Sequence, residues 1–197
     1  MSNDAVLKLV DRFKQNRVQF IDFCRSLSEE ELERDVPDST YTVKDFVSHL
    51  GTLDPALTQQ FDALAAGRAE EIGRREDGEP FDIDRYNDAL VAERRGWTLD
   101  RILEEAAQNR EQFLAALAKL MNEQIGQTMR FTGDNKRPPA DVTFEVFLKG
   151  LTRHDAIHVA DMVKALPERS EDPAIKQWIN DVVVQWYQKA MAGPATR

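Results

Sequence analysis

The fold is most readily inferred from VTFEVFLKGLTRHDAIHVADMVKAL, residues 142–166. Large apolar side chains recur there every three or four residues, which is the spacing of one face of an α-helix. Pro167 follows directly and cannot continue a helix. We therefore predict one amphipathic helix over 142–166, whose buried face carries Phe144, Phe147, Leu148, Leu151, Ile157, Met162 and Leu166.

The same helical period extends through most of the chain. It is present over residues 4–27, 43–67 and 84–121, and no stretch alternates with the period of 2 that a strand requires. The connections 67–82 and 122–140 are polar and contain Gly and Pro, which is typical of loops. The pattern predicts an all-α fold, a four-helix bundle in which the first of these connections leaves room for a long crossover.

Polar residues mark where several of these helices begin. Thr42 and Asp45 have the spacing of a capping box, with Asp in place of the usual Glu. Thr98 is expected to cap the helix that restarts after a Gly-containing break. Asp54 precedes Pro55 inside an apolar run, and we expect a kink there or a restart with Asp54 as the N-cap.

The chain divides into a bundle and a C-terminal extension. Residues 1–167 are predicted to form the four-helix bundle, and residues 168–197 an extension with one more amphipathic helix at about 173–191. Trp178 and Trp186 lie in that helix, and Trp is frequent at buried contacts. We expect the extension to pack on the bundle or on a partner subunit of a homodimer.

Composition excludes several classes of protein. The 197 residues carry a formal net charge of -9 and one cysteine, so no disulfide framework is expected. The acidic balance argues against nucleic acid as the main partner. No stretch approaches the roughly 20 apolar residues of a membrane-spanning helix, and the N-terminus lacks the pattern of a signal peptide. We expect a cytoplasmic protein with no membrane partner.

The three histidines are the candidate functional residues. His154 and His158 are four positions apart on a predicted helix, so their side chains point the same way. His49 borders the apolar face of the second helix, where a bundle could bring it opposite the pair. Asp161 and Asp45 are candidates to orient the imidazoles. Spacing alone leaves two interpretations open: a divalent metal site or hydrogen-bonded core histidines.

Three segments together resemble a known superfamily. They are TVKDFVSHL (residues 42–50), YNDALVAERR (86–95) and RHDAIH (153–158). In order and separation they are similar to elements of the DinB-like superfamily, which includes mycothiol- and bacillithiol-dependent transferases and isomerases. The resemblance implies a four-helix bundle with a long crossover and a divalent metal between its second and fourth helices. The three positions that match the metal ligands are His49, His154 and His158.

The resemblance also implies a class of activity. It indicates a metal-dependent enzyme, with zinc or nickel at the histidines and a low-molecular-weight thiol as a second cofactor. Such an enzyme would be a thiol-dependent S-transferase or isomerase, or else a hydrolase, acting on a small electrophilic substrate. The alternative is a non-enzymatic helical bundle whose histidines sequester a metal or are purely structural. Turnover that depends on the histidines would distinguish the two.

Overall fold

The computed structural model describes residues 2–68, 71–72, 75–76 and 79–191, which are mostly helical. The all-α prediction is confirmed in this sense, although short strands also form. None of the described helices combines the length and the apolar character needed to cross a bilayer. In chain order the helices are α1 Asp4–Arg25, α2 Glu29–Leu32, α3 Val43–Thr52, α4 Asp54–Ala65, α5 Ile83–Ala92, α6 Leu99–Leu117, α7 Asn122–Ile125, α8 Phe144–Leu151, α9 His154–Met162, α10 Pro167–Ser170, α11 Pro173–Ile179 and α12 Val182–Met191.

Short strands occupy parts of both connections that the sequence predicted as loops. Residues 128–131 pair in parallel with 71–72 and antiparallel with 140–143, and residues 75–76 pair antiparallel with 79–80. The loop prediction is wrong at these positions, and the helix prediction is wrong at residues 142 and 143, because strands of two or four residues are too short to show a period of 2. Residues 69–70, 73–74 and 77–78 of the first connection lie outside the described residues. The strands are β1 Glu71–Ile72, β2 Arg75–Glu76, β3 Glu79–Pro80, β4 Thr128–Phe131 and β5 Ala140–Thr143.

The bundle is built on contacts among five helices. Helix α6 packs on α3 and α4, α1 packs on α6 and α9, and α3 packs on α9. One apolar cluster is centred on Phe113, whose ring lies 4.9 Å from that of Phe13 and 5.0 Å from that of Phe61. A second cluster joins α1, α3, α6 and α9 through buried residues that include Phe20, Cys24, Val47, Ile102, Val159 and Met162.

Two of the predicted helix starts are confirmed. The Thr42 side chain accepts a hydrogen bond from the Asp45 amide at 3.1 Å, and the Asp45 carboxylate accepts one from the Thr42 amide at 3.3 Å. This is the reciprocal capping box that the sequence predicted. Thr98 likewise accepts a hydrogen bond from the Arg101 amide at 3.3 Å and begins α6. Both caps satisfy amides that a helix leaves without an internal partner.

The predicted restart before Pro55 is confirmed, but Asp54 is not its N-cap. Leu53 has the N-cap position, and Asp54 is the first residue of α4. The Asp54 carboxylate turns inward, where its Oδ2 lies 2.9 Å from Nε of Arg110. The carboxylate is thus paired with a buried cation while Leu53 occupies the N-cap position, so the prediction of Asp54 as the N-cap is wrong.

The stretch 142–166 is divided rather than continuous. Helix α8 ends before Thr152 and α9 begins after Arg153. The Thr152 hydroxyl and the Arg153 guanidinium both donate to the Lys149 carbonyl, at 2.8 and 2.7 Å. The Arg153 amide donates to the Gly150 carbonyl instead of the Lys149 carbonyl. These side chains compete for the carbonyl that would have continued the helix. The prediction of one unbroken helix is therefore wrong.

The predicted helix at 173–191 is also divided. Helices α11 and α12 are separated at Asp181, whose carboxylate accepts a hydrogen bond from the Val183 amide at 2.8 Å. An Asp in this role favours the start of a new helix. Residues 192–197 of the predicted extension lie outside the described part of the chain.

The described part of the C-terminal extension packs against α9 and α1. Val184 of α12 is fully buried, and the Trp178 indole of α11 donates to the Asn16 side chain at 3.1 Å. These contacts place α12 along the side of the helix that carries two of the histidines. The α9 residues in the apolar cluster with Val184 are Ala156, Ile157 and Ala160.

Helices α3 and α6 approach each other closely at one glycine. A Cβ atom at Gly51 would lie 2.8 Å from the Cβ of Ala106. Carbon atoms in contact are normally 3.5–4.0 Å apart, so the observed spacing requires glycine at this position. Gly51 is two residues beyond His49, and the close approach therefore fixes the segment that carries this histidine.

Candidate metal centre

The structure brings the three histidines of the chain together between α3 and α9. The ring centroid of His49 lies 5.5 Å from that of His154 and 5.0 Å from that of His158. The rings of His154 and His158 are 4.6 Å apart. One ring nitrogen from each histidine lies within 4.8 Å of the other two. The cluster therefore has the dimensions of a metal site.

The closest nitrogens have the spacing of two ligands on one ion. Nε2 of His154 and Nε2 of His158 are 3.2 Å apart. Two imidazole nitrogens bound to tetrahedral zinc at about 2.0–2.1 Å would be separated by about 3.3 Å. Little movement of α9 is therefore needed for both side chains to bind the same ion.

Local structure accounts for this convergence. His154 and His158 are four residues apart in α9 and lie one above the other on one face. His49 reaches them from α3, whose start is fixed by the Thr42 capping box and whose end is held against α6 at Gly51. Two helices with fixed positions thus present the three imidazoles to a common point.

Burial keeps two of the imidazoles neutral. The loss of solvation, with smaller contributions from His158 and Lys136, lowers the pKa of His49 to about 3. Burial also lowers the pKa of His154 well below its usual range, with His158 and His49 contributing to the shift. Both side chains are therefore uncharged at neutral pH. The uncharged imidazole is the form that binds a metal ion.

The donor set fits a divalent metal of the kind that imidazole prefers. Nδ1 of His49 is buried and has no hydrogen-bond partner in the structure. A buried polar atom without a partner is costly, and coordination of a metal by the cluster is one means of satisfying it. Neutral imidazole is a suitable ligand for zinc, nickel, copper and iron. We conclude that the residues present are compatible with such an ion.

Asp161 is positioned to orient one of the imidazoles. Its Oδ2 lies 3.2 Å from Nδ1 of His158. Burial alone would raise the pKa of Asp161, but hydrogen bonds from His158, Lys164 and Gln188 outweigh it and lower that pKa to about 2. The ionised carboxylate can only accept a hydrogen bond. The Nδ1 proton of His158 is therefore held toward Asp161, which leaves Nε2 as the nitrogen available to a ligand.

Aromatic and charged side chains surround the cluster. The Phe46 ring lies 5.3 Å from the His158 ring, and the Tyr41 ring lies 6.4 Å from the His49 ring. Tyr41 also donates to Asp88 at 2.7 Å, which ties α5 to this side of the site. Two aromatic rings thus border the histidines.

Most of the chain matches the model of a known protein family. Residues 13–162 match the profile of the mycothiol maleylpyruvate isomerase N-terminal domain. The chain belongs to this family. The family is part of the DinB/YfiT-like superfamily, so the resemblance inferred from three short segments is confirmed. No protein of curated function matches the chain.

The family match covers the candidate metal centre but not the whole chain. It includes His49 and ends at the last residue of α9, so all three histidines lie within it. Helices α10, α11 and α12 lie beyond it. The family domain therefore supplies all three imidazoles, and α12, which packs on α9, lies outside that domain.

Asp45, the other carboxylate predicted to orient an imidazole, has different partners. Its carboxylate accepts the hydrogen bond from the Thr42 amide, and its Oδ2 lies 3.4 Å from the Arg95 guanidinium. Its observed contribution to the centre is indirect, through the start of α3.

A buried charge network lies beside the histidines and was missed by the sequence analysis. The Arg17 guanidinium is 3.1 Å from the Asp155 carboxylate and also donates to the Leu50 carbonyl at 3.1 Å. Both side chains are 5% exposed. Leu50 and Asp155 are the direct neighbours of His49 and His154, so Arg17 links the two segments that carry them.

A second buried pair extends this network. The Arg110 guanidinium lies 2.9 Å from Asp54. Burial raises the pKa of Asp54 and lowers the pKa of Arg110, in each case outweighing the attraction between the two. The helical spacing of the sequence could have predicted that both arginines are buried. Arg17 falls between Phe13 and Phe20 on one apolar face, and Arg110 between Ala106 and Phe113 on another.

The metal-free protein is expected to lose stability as the pH falls below 6.5, the ordinary pKa of histidine. In the folded state His49 and His154 stay uncharged there, whereas in the unfolded chain they bind protons. Proton binding then favours unfolding, by about 1.4 kcal/mol per histidine between pH 7.5 and 5.5. Urea unfolding at the two pH values, with a chelator present, measures the change.

The control for this pH dependence is a variant with both buried histidines replaced by glutamine. His49→Gln/His154→Gln lacks the two groups whose protonation is linked to unfolding. Its free energy of unfolding should change less over the same pH interval. An equal change in the variant and the wild type would contradict the assignment to these two residues.

Proposed function

We propose that the protein is a metal-dependent enzyme that uses a low-molecular-weight thiol to transform a small electrophilic substrate. His49, His154 and His158 would hold the metal. The observation that carries the proposal is the meeting of these three side chains, within 4.8 Å, inside a domain of the mycothiol maleylpyruvate isomerase family. Zinc and nickel are the first metals to test, because both accept imidazole ligands.

A bound divalent ion is a Lewis acid that can polarise a substrate oxygen and lower the pKa of a thiol or water ligand. The protein's own contribution is to keep its ligands neutral and in place. Burial depresses the pKa of His49 and His154, so protons compete weakly for their nitrogens. Asp161 fixes the orientation of His158.

Side chains around the cluster support a small, polar electrophile as the substrate. Lys136 is close enough to His49 to affect its pKa electrostatically, and it is paired with Asp84 at 2.6 Å. A cation at this position could bind a substrate carboxylate after exchange with Asp84. Phe46 and Tyr41 supply apolar surface on another side of the cluster. The surroundings therefore favour an organic acid with an activated double bond or carbonyl.

The family name supports a choice of thiol and of reaction. Mycothiol is the first thiol to test, and cis–trans isomerisation of an unsaturated keto acid is the first reaction. Isomerisation regenerates the thiol after each turnover, whereas S-transfer consumes one thiol for each product. Hydrolysis would proceed without any thiol. Measuring thiol consumption alongside product formation therefore distinguishes the three reactions.

The test is a turnover assay with protein purified without an affinity tag and loaded with zinc or nickel. We expect thiol-dependent turnover of at least one unsaturated acid or epoxide, with mycothiol, bacillithiol and other thiols compared. In His158→Ala the rate should fall by at least about 100-fold, because losing a ligand costs more than losing a residue that only orients one. Lys119→Ala, at an exposed site, is the control and should retain the wild-type rate.

Two results would contradict the proposal. Protein that binds the metal tightly but turns over none of these substrates, with or without thiol, would favour a non-enzymatic metal-binding bundle. Turnover that is unchanged in His158→Ala would show that any activity resides elsewhere.

A further inference from the structure

A glutamine beyond the family domain reaches the carboxylate that orients His158. Nε2 of Gln188, in α12, lies 2.9 Å from Oδ1 of Asp161 and 3.3 Å from the Ile157 carbonyl. The family match ends at residue 162, so Gln188 is not part of it. This side chain thus connects the C-terminal extension to the candidate metal centre.

The two oxygens of Asp161 have different partners. Oδ2 faces Nδ1 of His158 at 3.2 Å, while Oδ1 accepts from Gln188 and from Lys164 at 2.8 Å. The Lys164 side chain is 44% exposed, so solvent competes for its charge. Gln188 is partly buried and makes a second bond to the backbone of α9. Gln188 is therefore the better fixed of the two groups that hold Oδ1.

The position of Gln188 follows from the packing of α12. Val184, four residues earlier and on the same helical face, is fully buried against α9. The start of α12 is fixed by the Asp181 carboxylate, which accepts from the Val183 amide. Gln188 consequently points at α9 rather than into solvent, with little freedom to choose another partner.

We propose that Gln188 is a positioning residue that acts on the metal centre through Asp161 and His158. By holding Oδ1, it turns Oδ2 toward the imidazole, keeps the Nδ1 proton of His158 in that hydrogen bond and leaves Nε2 free to bind the ion. The inference rests on the proposed metal site. It means that the C-terminal extension completes a site whose ligands all come from the family domain.

The experiment compares two variants of Gln188 in the full chain. Gln188→Met has nearly the same shape but no N–H donor, and Gln188→Glu has the same shape but places a second carboxylate against Asp161. Cobalt(II) affinity, measured by competition with a chelator and by the visible spectrum of the bound ion, is the first measurement. We expect the affinity to fall by about 3- to 10-fold in Gln188→Met and by more in Gln188→Glu. Residues that hydrogen-bond a metal ligand typically cost about 10–100-fold in metal affinity when they are replaced, and Gln188 acts one residue further out.

The matched control is Gln185→Met in the same helix. The Gln185 side chain bonds to Asn180 at 2.6 Å, and this variant should retain the wild-type affinity and spectrum. The second measurement is ¹⁵N NMR of the metal-free protein, in which only three histidines contribute imidazole signals. Here His158 should carry its proton on Nδ1 in the wild type and in Gln185→Met, and lose this preference in Gln188→Met.

The outcomes separate the inference from the proposal on which it rests. Wild-type protein that binds no cobalt would overturn both. Normal cobalt binding by the wild type, with Gln188→Met and Gln188→Glu indistinguishable from Gln185→Met in both measurements, would overturn the role of Gln188 alone. If Gln188 only filled space, Gln188→Met would leave the His158 tautomer unchanged, so the NMR measurement also excludes a purely structural role.

Discussion

Asp155→Ala is expected to lower the free energy of unfolding by about 3–5 kcal/mol. The substitution removes the partner of Arg17, whose guanidinium is buried and has two nitrogens, Nε and one Nη, that already lack a hydrogen bond. A buried charge without its counterion retains the full cost of leaving water. Urea unfolding of the metal-free protein measures this effect separately from any loss of metal.

An exposed ion pair and a double variant are the controls for Asp155→Ala. Asp62→Ala removes a carboxylate that lies 3.1 Å from Lys119, where both side chains are about half exposed, and should cost less than about 1 kcal/mol. The double variant Arg17→Met/Asp155→Leu removes both buried charges and should recover part of the stability lost in Asp155→Ala. A double variant no more stable than Asp155→Ala would contradict an origin in the unpaired charge.

His154→Gln is expected to abolish stoichiometric binding of zinc or nickel at micromolar protein concentration. The structure gives this residue the closest approach to another candidate ligand, 3.2 Å between the Nε2 atoms of His154 and His158. Removing one of three protein ligands leaves two, and zinc sites normally use three or four. Metal analysis after dialysis, together with isothermal titration, measures the loss.

Thermal unfolding provides the control for His154→Gln. A ligand that binds only the folded state at one hundred times its Kd adds about 2.7 kcal/mol of stability. The wild type should therefore melt at a higher temperature with metal than with chelator, and His154→Gln should melt at the same temperature under both conditions. A variant that still binds one equivalent with the wild-type affinity would show that the three histidines do not form the site.

The pair of His154 and His158 could be predicted because it is local, whereas the place of His49 beside the pair was implied by the superfamily resemblance. The spacing of His154 and His158 places both on one helical face, and the capping residues Thr42 and Asp45 fix the phase of the helix that carries His49. The same argument predicted that Asp161 orients an imidazole, because it follows His158 by three residues, and the two side chains are in contact at 3.2 Å. That these residues bind a metal stays a prediction.

The parts that sequence reasoning missed depend on distant partners. Gln188 meets Asp161 only because α12 folds back along α9. The charge of Arg17 on an apolar face is explained only by Asp155, 138 residues away. The division of the fourth helix is a competition at the Lys149 carbonyl between side chains and backbone, whose outcome a helical period does not reveal. The strands are too short for any periodic signal.

The close approach of α3 and α6 limits how related chains can diverge. A methyl group added at Gly51 would collide with Ala106 at 2.8 Å and push the helices apart by several tenths of an ångström. That movement would carry His49 with it and exceed the ~0.2 Å tolerance of a metal–nitrogen bond. Substitution at position 51 should therefore be tied to a compensating loss of volume at position 106. The spacing of the three histidines is in this way constrained by two positions, 51 and 106, that lie outside the cluster.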